Sequence, residues 1–407
     1  MSNYRSVIAS SGVYDSNALV LLANTESVGT TTDVTLSFIG TANTSFTIDW
    51  NDGNSNVITH DGNTQTIIHD YGVAGQQYIN IYGDVGQIVT GNSNNTQLLE
   101  LVNYGNAVIL TSNQEYTFAE ATSMKISATD YPLFVANTAT DGYYKNCSSM
   151  VKTSSNQWDA NVTANIIDMR NMFEGANSFI GTEITNWNTS NVTNMGSMFQ
   201  GASNFNADIG GWNVSNVTDM TYAFRDATAF NGNISNWTLS NGFLQNGLEG
   251  MFWGATSFNQ DISSWVLPTS GGTYLSRMFQ GASSFNANIA GWDVTRLVST
   301  QSMFDGATSF NQDLSSWDIT NWSNTLNGFY MFNNCGLSTE NWSRTLIGWA
   351  NQVSNNGGTP NAINLGAATG LTYSNTVYGG SPYDNAVDAR NYLTSTLSWT
   401  ITGDSQV

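Results

Sequence analysis

The tract Met-Phe-x-Gly-Ala-x-x-Phe-Asn, with a tryptophan usually seven residues past its last phenylalanine, recurs down the middle of this chain. Its leading pair is Met172–Phe173, Met198–Phe199, Met251–Phe252, Met278–Phe279, Met303–Phe304 and Met331–Phe332, with Ala223–Phe224 a degenerate copy. The companions Trp187, Trp212, Trp237, Trp265, Trp292, Trp317 and Trp342 are separated by 25, 25, 28, 27, 25 and 25 residues. A fixed period in the twenties predicts units that stack only on their neighbours.

Within one unit, Met195, Met198, Phe199 and Ala202 fall at i, i+3, i+4 and i+7, which predicts one face of a short helix. Asn191 or Thr193 would cap its start and Gly201 its end. Met169, Met172, Phe173, Gly175 and Ala176 repeat the pattern. Phe205, Ile209, Trp212 and Val214 follow, the last two alternating as in a brief strand. The expected fold is therefore a mixed α/β repeat solenoid of leucine-rich-repeat-like coils. A lone coil could not stand. Its six large apolar side chains gain about 1.5–3 kcal/mol each on burial, while ordering its backbone costs about 1–2 kcal/mol per residue.

These residues resemble the BspA-type leucine-rich repeat family of bacterial and viral surface proteins, whose units read M-F-x-G-A-x-x-F-N-x-D-I-x-x-W-D-V-x-N-V-T. The fit is close over Met251–Trp265, Gly281–Val294 and Met303–Ile319. Gly336–Trp342 with Leu346–Trp349 looks like a terminal unit, and Ala389–Leu393 with Trp399–Asp404 like its closing cap. Tyr116–Ala128 and Tyr143–Trp158 read as worn copies, so the resemblance spans roughly residues 98 to 407. It implies a repeat surface for adhesion or recognition and no reaction.

The first hundred residues lack the period. Val34–Ile39, Ser45–Trp50, Thr66–Ile68 and Tyr78–Tyr82 are short alternating or apolar runs between Gly and Asn turns, which predicts a small β-sandwich. Ile48-Asp49-Trp50-Asn51-Asp52-Gly53, His69-Asp70-Tyr71 and Gly75–Ile79 resemble a polycystic-kidney-disease-type (PKD-like) domain, with Asn51 in place of the usual glycine. The resulting plan is an N-terminal arm at 1–33, the PKD-like sandwich at 34–90, the solenoid at 91–335, and the terminal repeat and cap at 336–407.

Ten basic against 30 acidic residues give a net charge of −20. Phosphate binding needs concentrated Lys and Arg, so nucleic acid is not an expected partner, and an anionic membrane would repel the chain. No apolar run reaches the roughly 18 residues of a membrane span. Cys147 and Cys335 read as two small packed residues. The sequence Met1–Ala9 has one basic residue and no apolar stretch, unlike a secretory signal. An exterior-type composition without that signal leads to the expectation of a virion component.

Motifs that carry chemistry are scarce. His60 and His69 lie nine residues apart with no second cluster of Cys or His, a poor zinc site. There is no G-x-S-x-G elbow and no P-loop, so no catalytic residue is named and the chain is expected not to be an enzyme. Glu183, Asp208, Asn233, Asp261, Asn288 and Asp313 precede the Ile or Leu of successive coils. Asp208, Asp261 and Asp313, with Asp49 and Asp52, are calcium candidates because hard cations take rows of oxygen ligands. Asp–Asn exchange at this position favours an Asx turn instead, and no cofactor is required. Asn206, Asn231, Asn259, Asn286 and Asn311 also recur, as stacked amides would.

Aromatic residues outside the regular columns are the remaining candidates. Trp253, Tyr274 and Tyr330 are read as binding residues, since exposed aromatics stack on sugars or anchor proteins. Trp349 also lies outside the columns, whereas Trp322 replaces the Val of an N-V-T unit and is expected in the core.

The favoured function is a non-enzymatic virion component such as a capsid decoration protein, head fibre or tail fibre. Its N-terminal part would dock to other virion proteins, the repeats would meet a host-surface glycan or protein, and a homo-oligomer is a further expected partner. The alternatives are a bacterial cell-surface adhesin of the BspA type and a solenoid polysaccharide-degrading enzyme.

Overall fold

Alternating apolar residues build two sheets at the N-terminus of the computed structural model. The structure describes residues 18–407 except 26–31, 84, 86, 89–97, 104–108, 111–117, 120, 122–124, 127–132, 135–137, 151–162, 245, 270–271, 323–327 and 357–361. Its first strands are Leu19–Asn24 (β1), Asp33–Ile39 (β2), Ser45–Asp49 (β3) and Ser55–Thr59 (β4). Gln65–Asp70 (β5), Gln76–Gly83 (β6), Gln87–Ile88 (β7) and Leu98–Asn103 (β8) follow. The larger sheet runs Lys125–Ile126, β8, β1, β6, β3, β4, and the smaller β5, β2, β7. In β2 the period of two buries Val34, Leu36 and Phe38. Phe38 meets Phe46 of the larger sheet at 4.6 Å between ring centroids.

These sheets draw on more chain than residues 34–90. Strand β1 lies inside the stretch expected to be an arm, yet it pairs with β6 on one side and β8 on the other. Its residues Leu19 to Ala23 are buried because both flanks and faces are covered. Residues 1–17 and 26–31 of the expected arm lie outside the described residues, as do Tyr116 and Trp158 of the worn copies.

The repeats correct the expected α/β solenoid. Among the described residues, small sheets predominate, and the α-helices are Thr339–Asn355 (α1) and Ala386–Asn391 (α2), both past the last Met-Phe pair. The helix expected over Met195–Ala202 is a run of turns, and no strand forms at Trp212–Val214. The reason is one backbone position. Ser197, Tyr222, Gly250, Arg277, Ser302 and Tyr330 stand immediately before the Met, or Ala223, of their units with φ between 53° and 62°. An α-helix needs φ near −63° at every residue, so a left-handed residue in mid-pattern cancels it.

What forms instead is a tier of successive turns. The N–H groups of Met198, Gln200 and Ala202 donate to the carbonyls of Met195, Ser197 and Phe199, three residues back. The intervening N–H groups of Met195, Ser197, Phe199 and Gly201 donate to Asp219, Thr221, Ala223 and Arg225 of the next tier at 2.7–2.8 Å. The same ladder joins Phe224 to Met251, Phe252 to Met278, Phe279 to Met303 and Phe304 to Met331. The left-handed residues take part too. Ser197 donates to Thr221, and Ser302 to Phe329. Their strain, about 1–3 kcal/mol each, is tolerated because bonds to a neighbouring tier hold them.

The chain divides into two compact units, Met1–Asn191 and Val192–Val407, so the division falls within the repeat region. In the first unit, the N–H groups of Gly142, Tyr144 and Asn146 donate to Arg170, Met172 and Glu174. In the second, Phe199, Phe224, Phe252, Phe279, Phe304 and Phe332 stack with successive centroids 5.5–5.9 Å apart. Beside them, Phe205, Phe230, Phe258, Phe285 and Phe310 form a second column. Four of the column tryptophans hand their indole N–H to the tier before. Trp237, Trp265, Trp292 and Trp317 donate to Ile209, Ile234, Ile262 and Ile289 carbonyls at 2.9–3.3 Å.

Helix α1 closes on the final tier. Ser338 caps it by accepting from Asn341 N–H, and its buried Trp349 donates Nε1–H to Leu314 O at 3.0 Å. Arg390 of α2 makes a two-point bond to Asp404, Nη2 to Oδ1 at 2.7 Å and Nε to Oδ2 at 2.9 Å.

Candidate binding face

Every apolar column points inward, so what a tier offers outside is set by the residue after its Phe and, except at the buried Gly250 and Ser302, by the left-handed position. Across the second unit, the left-handed position reads Ser197, Tyr222, Gly250, Arg277, Ser302, Tyr330. The residue after the Phe reads Gln200, Arg225, Trp253, Gln280, Asp305, Asn333, all partly exposed. The inside repeats the same side chains, while this outer strip changes chemistry at each step.

Trp253 lies at the most elaborate part of the strip. Arg225, from the preceding tier, places its guanidinium carbon 3.9 Å from the Trp253 ring centroid, and Arg277, from the following tier, lies at 5.6 Å. Tyr222 is 6.1 Å away, centroid to centroid. Glu249 ties the group together, accepting from Arg277 Nη1 at 2.8 Å and from the Tyr222 hydroxyl at 3.2 Å. Burial, and then the Glu249 carboxylate, push the Tyr222 phenol upward, so it stays a donor. Arg225 differs from Arg277. Among the described residues its ion-pair partner is Asp226, at 3.3 Å from Nε, and that Nε makes no hydrogen bond to a described residue.

The other aromatic candidates lie elsewhere. Tyr274 is half-buried in the strand Thr273–Tyr274, paired with Leu297–Ser299, and helps line a small cleft with Phe243, Leu244, Leu248 and Pro268. Tyr330 is 39% exposed and packs edge-on against Phe329 at 4.0 Å. Trp322 is buried and donates to Val294 O at 3.0 Å. Trp349 is buried as well, because α1 turns it under the last tier. The second-neighbour roles of Glu249 and Arg225 were missed at the sequence level. Two basic residues flanking an off-column Trp one period apart, in a chain with only ten, were the available signal.

The calcium candidates are engaged with backbone. Asp208, Asp261 and Asp313 each accept the N–H two residues on, from Gly210, Ser263 and Ser315, at 2.9–3.0 Å. Asn233 and Asn288 do the same at the equivalent positions. The Ser263 hydroxyl and N–H hold the Asp261 carboxyl below its ordinary range. Asp49 and Asp52 accept from Asn51 and Asn54 N–H, and Asp52 also meets His69 Nε2 at 2.8 Å. Among the described residues, no group of three or more His, Cys, Asp or Glu side chains converges as a metal site. His69 lies flat on Trp50 at 4.5 Å, and His60 is buried against Phe46. Cys147 and Cys335 form no disulfide, and the buried Cys147 thiol donates to Phe118 O at 2.8 Å.

The asparagines form a side-chain ladder. Asn206 Oδ1 accepts from Asn231 N–H, Asn231 from Asn259, Asn259 from Asn286, and Asn286 from Asn311, at 2.8–2.9 Å. Ser338 N–H completes the series on Asn311. Among the described residues, no helix is long and apolar enough to cross a membrane.

No curated protein and no solved structure matches the chain. Residues 138–245 and 245–343 match a family described as Mycoplasma protein of unknown function, DUF285. The match begins at residue 138, so the N-terminal sheets and their PKD-like string fall outside it. It spans the Met-Phe-x-Gly-Ala units, in agreement with the BspA-type surface-repeat resemblance, and reaches just over half of the 407 residues; the chain belongs to this family of repeat proteins.

Proposed function

We propose that the chain is a non-enzymatic surface protein that recognises its target through the outer strip of its repeats. One observation carries this reading. Inside each tier the same Met, Phe and Ala recur, whereas outside no two tiers between Ser197 and Asn333 carry the same pair of residues. A plain spacer would gain nothing from that variety. A recognition surface needs it, with aromatic and Arg anchors among neutral contacts. The N-terminal sheets, with their PKD-like string, serve as the docking part.

For the carrier, our reading is a virion, with the chain as a capsid decoration protein, head fibre or tail fibre. The family description names Mycoplasma, which favours a second reading, a bacterial cell-surface adhesin. Gold labelling of intact particles and cells with an antibody to residues 192–407 tests both. Regular decoration of a virus head or tail supports the virion. Label confined to a cell envelope removes it and leaves the adhesin. Recognition is tested separately, by whether the full chain attaches to host cells.

A further inference from the structure

We infer that the Arg225–Trp253–Arg277 cluster is a binding site for a carboxylate-bearing saccharide, which rests on the recognition reading above and names its ligand class. Arg225 covers one face of the Trp253 ring at 3.9 Å, so a sugar does not simply lie flat there. The contacts left to a ligand are in-plane. A guanidinium offers its N–H groups along its edge in a fork that matches a carboxylate, and an aromatic ring is electropositive at its edge.

Arg277 is neutralised by Glu249 at 2.8 Å and already fixed in place. Arg225 stacks on Trp253 with its Nε facing Asp226 at 3.3 Å, and its Nε makes no hydrogen bond to a described residue. A guanidinium already fixed on an aromatic ring, with an exposed carboxylate beside its Nε only, keeps its outer N–H groups ready for an incoming anion at low ordering cost. Beside it, Glu249 and the Arg277 guanidinium alternate acceptor and donor, the complement of vicinal sugar hydroxyls. That alternation of donor and acceptor favours the saccharide over an acidic peptide. The chain's charge of −20 sets a further limit. It disfavours polyanions at long range, while one carboxylate within the screening length, about 8 Å at physiological salt, meets mainly the local guanidiniums.

The test is calorimetric titration of the full chain with the methyl glycoside of N-acetylneuraminic acid, a glucuronic acid disaccharide, their neutral counterparts, and an acidic peptide. The expected result is binding of a carboxylated sugar, weakened about 10–100-fold in Arg225→Gln, the range of a lost charge-assisted hydrogen bond. Arg344→Gln, at the exposed pair with Glu340, should bind as the parent does. Equal affinity for neutral and carboxylated sugars, preference for the peptide, or no effect of Arg225→Gln would overturn the site. Unchanged thermal melting of Arg225→Gln keeps a folding defect from imitating the result. If host attachment persists in Arg225→Gln, this site is wrong while the recognition reading stands; if the parent chain does not attach at all, the wider reading fails.

Discussion

The Tyr71 hydroxyl is buried without a hydrogen-bond partner among the described residues, although its ring packs edge-on to His69 at 4.7 Å and to Trp50 at 6.3 Å. Burial, then the Asp52 and Asp49 carboxylates, push this phenol well above its usual range. An unsatisfied buried hydroxyl costs about 1–3 kcal/mol, so Tyr71→Phe should be neutral or stabilising at pH 7 by chemical denaturation. The pH dependence follows from the sign of the shift. A raised value in the folded state means stability fully present below the unfolded phenol value, near 10, and lost as pH rises beyond it. Tyr143 is buried and shifted in the same direction, and burial pushes the Cys335 thiol up to about 11. Thermal melting between pH 8 and pH 12 should therefore show falling stability, less steep in Tyr71→Phe. Parallel curves would show that Tyr71 is not a source of the loss.

A tier depends on two devices that can be probed one at a time. At Ser302, with φ 53°, the backbone sits where a side chain is strained. Ser302→Gly should hold or raise stability, and Ser302→Val should lower it by about 1–3 kcal/mol; urea melting of the two variants decides. The second device is the asparagine ladder, where Asn259 accepts from Asn286 and donates its N–H to Asn231. Asn259→Ala removes the acceptor and should cost about 0.5–1.5 kcal/mol. Asn259→Asp keeps the oxygen and should cost much less. Equal losses would point to packing rather than the hydrogen bond.

Over the second unit, stability is a matter of columns. Phe258 lies 3.8 Å from Phe252, and 6.0 and 5.9 Å from Phe230 and Phe285 in the adjoining tiers, by ring centroids. Phe258→Ala opens a void shared by three tiers and should cost about 3–5 kcal/mol. Tryptophan fluorescence during urea unfolding suits the measurement, because most of the 13 tryptophans belong to residues 192–407. A loss below about 1 kcal/mol would mean that the tiers close over the gap. Charge acts over the same scale. With −20 spread over 407 residues, self-repulsion is screened by salt, so stability should rise modestly from low to physiological ionic strength.

Legibility follows the same scales. The spacing of Met195, Met198, Phe199 and Ala202 correctly identifies which side chains meet the core, since burial of apolar area enforces that pattern in any regular backbone. It does not identify the backbone itself. Turns replace the helix because the left-handed residue before each Met is held by hydrogen bonds to a tier some 25 residues away, as Ser197 is by Thr221, and no local pattern records that partner. Trp253 and Trp349 look alike in the sequence, both outside the columns. One is partly exposed beside Arg225 and the other, carried on α1, is buried against the last tier, according to what each packs against. The period, the inward columns and the polar positions that become Asx turns are written in the order of residue types, because all three follow from side-chain chemistry. Tertiary structure alone decided the left-handed turns, strand β1 inside the expected arm, and the meeting of Arg225, Trp253 and Arg277, because each depends on contacts between residues far apart in the chain.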